Sequence, residues 1–237
     1  MSRTSCRLAL GIALALALRV PAAAQASGTG ASAPRVGPAH GALLVVGGGM
    51  LGPEILERFI ELAGGPDARI VIITTAAGAD TAQTARAVQA QLGHSGARNL
   101  AVLNTPDPKV ADREAFARQL RSARGVWFAG GRQWRLAGAY LGTRTQRELF
   151  ALLDRGGVIG GTSAGASIQA SYMVRGAVEG NTVMMAPGHE RGLGFLEGVA
   201  VDQHIIARHR EGDLAAVIKV HPELLGIGID EGTAIEV

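Results

Sequence analysis

After residue 40 the chain alternates between short unbroken apolar runs and stretches whose apolar positions recur at helical spacing. Leu43–Val46, Ile70–Ile73, Leu100–Leu103, Val126–Phe128 and Val158–Ile159 are too short for helices, and glycine or polar residues close each of them. Between the first two, Pro53 suits a first helical position, and Ile55, Leu56, Phe59, Ile60 and Ala63 fall on one helical face. Ala82–Leu92, a segment beginning near Asp112, Trp134–Leu141 and Thr145–Leu153 read as further helices. Continuous apolar strands alternating with amphipathic helices predict an α/β fold, with a mostly parallel open sheet covered by helices on both faces. Val199–Val201, Leu225–Ile229 and Thr233–Val237 add later strands. One domain, residues 41–237, is expected, without internal repeats or linkers.

In open sheets of this kind, ligands bind beyond the carboxyl ends of the strands. The glycine-rich and polar clusters fall there: Gly47-Gly48-Gly49, Thr74-Thr75, Gly130-Gly131 and Gly161-Thr162-Ser163.

The first residues have a different character. Arg3 and Arg7 precede the apolar run Leu8–Leu18, and Pro21-Ala22-Ala23-Ala24 follows. This is the plan of a secretory signal peptide over residues 1–24, cleaved after Ala24, which predicts a secreted or periplasmic protein without a stable membrane anchor. The apolar run is short of the roughly 20 residues that span a bilayer. Residues 25–40, rich in Gly, Ala, Ser and Pro, read as a flexible leader. Three of the 23 basic residues and none of the 20 acidic ones fall in 1–24, so the remainder is balanced in charge. That balance gives no reason to expect nucleic acid as a partner. The single cysteine, Cys6, also lies in the signal. Its loss excludes a disulfide, a thiolate metal site and a cysteine nucleophile from the mature chain.

Gly161-Thr162-Ser163-Ala164-Gly165 matches G-x-S-x-G, between the strand Val158–Ile159 and a helix-like stretch from Ala164 to Ala170. In that setting the glycines permit a tight turn that exposes the Ser163 hydroxyl, and the Ala164 amide faces the position of a tetrahedral oxyanion. Such a serine needs a base and the base an orienting carboxylate. His204 is the first candidate, because Val199–Val201 would deliver Asp202-Gln203-His204 to the sheet rim. His189 lies in a loop and is a weaker rival; His209 sits in a charged helical segment and His221 precedes Pro222 at a helix end. His40 belongs to the leader and His94 to a surface turn. The strand Leu225–Ile229 ends in Asp230-Glu231, and spacing does not choose between the two carboxylates. The order serine, histidine, acid departs from the serine, acid, histidine order of ordinary α/β-hydrolases.

Phe128-Ala129-Gly130-Gly131-Arg132-Gln133, Gly160-Gly161-Thr162-Ser163-Ala164-Gly165-Ala166, Val201-Asp202-Gln203-His204 and Leu225–Ala234 together resemble the serine peptidases that include cyanophycinase and aspartyl dipeptidase. That family is similar in fold to class I glutamine amidotransferases. The resemblance implies Ser163 as nucleophile, His204 as general base and Glu231 as its orienting acid, with the Gly131 and Ala164 amides as oxyanion hole. It implies that Gln133, Asp202, Gln203, Arg208 and Arg210 bind substrate, as in a pocket for a β-linked aspartyl-arginine unit. A homodimer is also implied, and neither metal nor cofactor is called for. Arg132 stands where an acidic residue is usual and Asp213 where a pocket arginine is expected, two reversals of charge in the substrate pocket. The family also continues with further strand residues beyond the point reached by Val237.

The leading expectation is a secreted, cyanophycinase-like serine peptidase acting on aspartyl peptide bonds. An aspartyl dipeptidase or other acidic-peptide hydrolase shares the mechanism and differs in specificity. A noncatalytic ligand-binding protein of the same fold predicts that Ser163→Ala leaves function intact. Gly47, Gly49 and Gly52 also satisfy G-x-G-x-x-G. Against a dinucleotide site, the second strand ends in Thr74-Thr75 where a ribose-binding acid is expected, and no Walker lysine follows the glycines.

Overall fold

The computed structural model describes residues 36–237. The expected signal peptide and residues 25–35 of the leader lie outside that range. Strands β1 (Ala42–Val46), β2 (Arg69–Ile73), β3 (Asn99–Leu103), β4 (Gly125–Phe128) and β5 (Val158–Thr162) correspond to the five early apolar runs. They form a parallel sheet in the order β3-β2-β4-β5-β1. Side chains alternate between its faces. Leu43, Val45, Val71, Ile73, Val126 and Phe128 enter one core, while Leu44, Val46, Ile70, Ile72 and Trp127 enter the other. This two-sided burial explains why the strands read as continuous apolar runs.

Helices α1 (Pro53–Ala63) and α2 (Thr81–His94) supply the second core, where Phe59 packs edge-on against Trp127 with ring centroids 5.0 Å apart. On the other face lie α3 (Pro108–Ala111), α4 (Glu114–Ala117), α5 (Gln133–Tyr140) and α6 (Arg144–Asp154). The single helix expected near Asp112 is instead two separate turns. Asp107 caps the first by accepting the Lys109 N–H at 2.8 Å, and Arg113 is extended between them. Asp112 faces away, accepting the Arg144 N–H at 2.8 Å.

The last third departs further from expectation. The helix α7 after the serine turn spans only Ala164–Ser167. The Ile168 and Gln169 carbonyls, which would continue a helix, accept instead from Leu193 and Leu196. The chain then enters a second, three-stranded parallel sheet, in the order β6 (Ala170–Tyr172), β7 (Leu196–Gln203), β8 (Leu225–Ile229). Helix α8 (Asp213–Val220) joins β7 to β8. Residues 205–209, expected to be helical around His209, form turns. Strand β9 (Ala234–Glu236) returns to the main sheet, antiparallel to β1.

Candidate active site

Three elements end at one point. β5 leads into Ser163, β7 into His204 and β8 into Asp230-Glu231. Ser163 has φ 56° and ψ −112°, outside the regions that ordinary residues prefer, as expected for a side chain turned out of a sharp strand-to-helix bend. The bend requires close approach of backbone to backbone. A Cβ at Gly161 would overlap the Gly165 carbonyl, and one at Gly165 would overlap that of Phe128.

The turn after β1 braces all three ends. Successive carbonyls of Val46, Gly47 and Gly48 accept the N–H groups of Ser163 at 3.0 Å, His204 at 3.1 Å and Gly232 at 2.9 Å. A Cβ at Gly48, where φ is 114°, would lie 2.7 Å from His204 Nε2. The Gly47-Gly48-Gly49 run therefore serves the hydroxyl–imidazole–carboxylate line rather than a nucleotide phosphate. The sequence already leaned this way, since Thr74-Thr75 stands where a ribose-binding acid is expected and no Walker lysine follows the glycines.

Ser163 Oγ lies 2.8 Å from His204 Nε2, and His204 Nδ1 lies 2.5 Å from Glu231 Oε1. With the Nδ1 hydrogen donated to the carboxylate, Nε2 is free to accept the serine proton. His204 is only 4% exposed. Burial holds its pKa below the ordinary 6.5; the Arg208 and Arg210 charges push the same way, while Glu231 opposes them. The imidazole is thus neutral at neutral pH.

The neighbouring carboxylate has a different place. Asp230 accepts the N–H groups of Ile206 at 2.9 Å and Ala207 at 3.0 Å, capping the turn after His204. These backbone bonds hold it below the usual carboxylate range. The alternative that spacing left open is resolved in position: Glu231 faces His204 and Asp230 faces the backbone.

Gly130 passes beside the serine, since a Cβ there would lie 3.6 Å from Ser163 Cβ. Among the described residues, the Gly131 and Ala164 N–H groups donate to no backbone carbonyl. Ala164 opens α7. Neither amide is used up by the backbone, as an oxyanion hole requires.

Of the five residues expected at the substrate, only Arg208 is exposed. Gln133 is 2% exposed and donates its amide to the Val174 carbonyl at 2.8 Å. Gln203 accepts from Arg210 Nη1 at 2.8 Å, and both residues are buried. Asp202 is wholly buried, with its two oxygens held by Arg175 at 2.8 and 2.9 Å. Arg175 also bonds Asp213 at 2.5 Å and the Asn181 carbonyl at 2.7 Å. The pocket expected around Asp202 is thus filled from within the chain. Arg175 escaped the sequence reading; Asp213, acidic where an arginine was expected, was its only sign. Arg132, the other charge reversal, donates to the Ala177 carbonyl at 2.6 Å and ties α5 to the same segment.

His189 and His94 are exposed and His221 ends α8. Among the described residues, no cluster of three or more His, Cys, Asp or Glu side chains is placed to hold a metal ion, and no helix is long and apolar enough to cross a membrane.

Comparison with known proteins gives the family. The profile of Peptidase family S51 matches residues 43–237. The chain is 36% identical to a cyanophycinase from Geminocystis herdmanii, over 81% of this chain and 72% of that protein. It is 35% identical to a cyanophycinase from Trichormus variabilis, over 81% of this chain and 66% of that protein. A crystal structure of a peptidase from an acI-B1 Actinobacterium superposes with a TM-score of 0.67 at 23% identity, covering 84% of this chain and 83% of that one. The chain belongs to peptidase family S51, and is a serine-type peptidase.

Proposed function

We propose that this protein is a secreted hydrolase of aspartyl peptide bonds that acts through an acyl-enzyme on Ser163. The observation that carries the proposal is the continuous line Ser163–His204–Glu231, with separations of 2.8 and 2.5 Å. His204 takes the Ser163 proton as Oγ attacks the scissile carbonyl carbon, and Glu231 stabilises the imidazolium that forms. The Gly131 and Ala164 N–H groups donate to the oxyanion of the tetrahedral intermediate. Collapse expels the amine, which receives the proton from His204. Water, deprotonated by the same imidazole, then attacks the ester and restores Ser163. The scheme needs no metal.

The curated relatives are cyanophycinases, but one observation favours small acidic peptides over an arginine-bearing polymer. The Asp202 carboxylate, the expected receiver of a substrate guanidinium, is already paired with Arg175. Arg208 remains exposed, and a guanidinium is suited to a substrate carboxylate. Secretion rests on the amino-terminal sequence pattern alone.

Incubation of the purified mature protein with cyanophycin and with α- and β-aspartyl dipeptides separates the specificities. Release of amino acids from the dipeptides, with the polymer left intact, is the expected result. Efficient release of aspartyl-arginine dipeptides from cyanophycin would contradict the reading of Asp202. For secretion, the expected amino terminus of the exported protein is Gln25; an exported chain that retains residues 1–24 would contradict it.

A further inference from the structure

A second cavity opens on the carboxyl edge of the main sheet, away from Ser163. It has a volume of about 420 Å³, and its walls include Thr75 and Gly78 after β2, Asn104 and Pro106 after β3, and Trp134 and Arg135 on α5. Strand order places it. From β5, which carries Ser163, the sheet runs through β4 to β2 and β3. Adjacent strands lie roughly 4.8 Å apart, so the ends of β2 and β3 stand about 10–14 Å from the serine along the same edge. Gly131, next in sequence to Gly130 at the serine, precedes Trp134 and Arg135 by only a few residues and packs against Ala76, which adjoins the cavity residue Thr75.

The charge of the cavity is one-sided. Arg135 is the only charged residue in its lining, and none of the lining residues is acidic. Among the described residues Arg135 has no carboxylate within salt-bridge distance. Its guanidinium is nevertheless fixed. Nη1 donates to the Ala76 carbonyl at 3.0 Å, and the carbon centre stands 5.2 Å from the Trp134 ring centroid. Gly78 leaves room for it, because a Cβ there would lie 2.5 Å from Nη1. A held guanidinium with spare donors, at the wall of a largely apolar cavity, is complementary to a carboxylate on a short stem.

We propose that this cavity binds an acidic side chain of a longer peptide substrate, with Arg135 receiving its carboxylate. An extended peptide advances roughly 3.3–3.6 Å per residue, so the side chain belongs to a residue about three or four positions from the bond attacked at Ser163. The proposal rests on the peptidase reading and adds to it a preference for acidic peptides longer than a dipeptide.

Binding to the Ser163→Ala protein, which removes turnover, is the test. Trp134 in the cavity wall gives a fluorescence signal, and calorimetry gives an independent one. Tetra-aspartate should bind roughly tenfold to hundredfold more tightly than di-aspartate or tetra-asparagine, the range of a charge-assisted hydrogen-bonded pair. Adding Arg135→Gln should remove that gain. Gly138→Leu should remove it too, since Gly138 lines the cavity from α5 and a Cβ there meets nothing within 4 Å, so the new side chain is accommodated without backbone strain. Equal affinity for the two aspartate peptides, no binding of tetra-aspartate, or a gain that survives both substitutions would overturn the proposal. Hydrolysis of dipeptides by the parent protein tests the reading of Ser163 separately, so the two can fail independently.

Discussion

Burial and two nearby arginines keep the His204 imidazole neutral, and this sets how the protein should respond to acid. A general base works only while unprotonated, and the folded pKa lies below the ordinary 6.5. The acid limb of kcat/KM should therefore fall below pH 6.5. Arg208→Ala removes a charge that disfavours the imidazolium, so the limb should move to higher pH. A limb that stays in place or moves down would show that Arg208 does not act on His204. The two adjacent carboxylates should separate as sharply. Glu231→Gln leaves Nδ1 without its anionic partner and should lower kcat on the order of 10⁴-fold. Asp230→Asn, which alters only the cap of the following turn, should cost far less; the reverse ranking in steady-state assays would exchange their roles. Sequence could not make this distinction, because both residues sit at the end of one strand and either could reach a histidine. What separates them is the turn 205–209, whose free N–H groups face Asp230.

Each element end at the site is held by another element. The turn after β1 offers three consecutive carbonyls to the serine, histidine and acid segments, so its geometry is transmitted to all three. Gly48→Ala would drive a methyl group into the His204 ring at a positive φ. A displacement of about 1 Å at a catalytic group costs on the order of 10²-fold, and kcat should fall by at least that much while the protein still folds. Unchanged kcat would show that the turn is not in contact with the base. Below the site, Arg175 neutralises the fully buried Asp202. Arg175→Met strands that carboxylate and should destabilise the fold by about 3–5 kcal/mol in urea unfolding. No loss would show that Asp202 has another source of charge balance. The strands and long helices of the main sheet were legible because their burial imposes a period on the sequence. The second sheet was not, since an apolar run such as Val199–Val201 reads alike in either sheet. The short α7 was hidden for a related reason: Ala164–Ala170 has helical composition, and distant donors from Leu193 and Leu196 end the helix.

At the scale of the whole molecule, a parallel sheet collects its loops at one edge, and both the serine line and the Arg135 cavity lie there. The general position of the site was readable from the glycine and threonine clusters at strand ends, and its chemistry from the serine turn with its strand and helix. Specificity was not readable in the same way. The residues Asp202, Gln203 and Arg210 have the composition of a substrate pocket, yet Asp202 is taken by Arg175 from a separate segment, and Gln203 and Arg210 are occupied with each other. The direction each side chain faces depends on that packing, which no local pattern records. The proposed preference for acidic peptides rests on a rim that presents Arg208 and Arg135, with Asp202 closed off.

The central claim is that Ser163 attacks the peptide bond. Its most direct test is hydrolysis of aspartyl dipeptides by Ser163→Ala beside the parent protein, with circular dichroism showing that both are folded. The account predicts a fall in kcat on the order of 10⁴-fold or more. Equal rates of product release by the two folded proteins would contradict it.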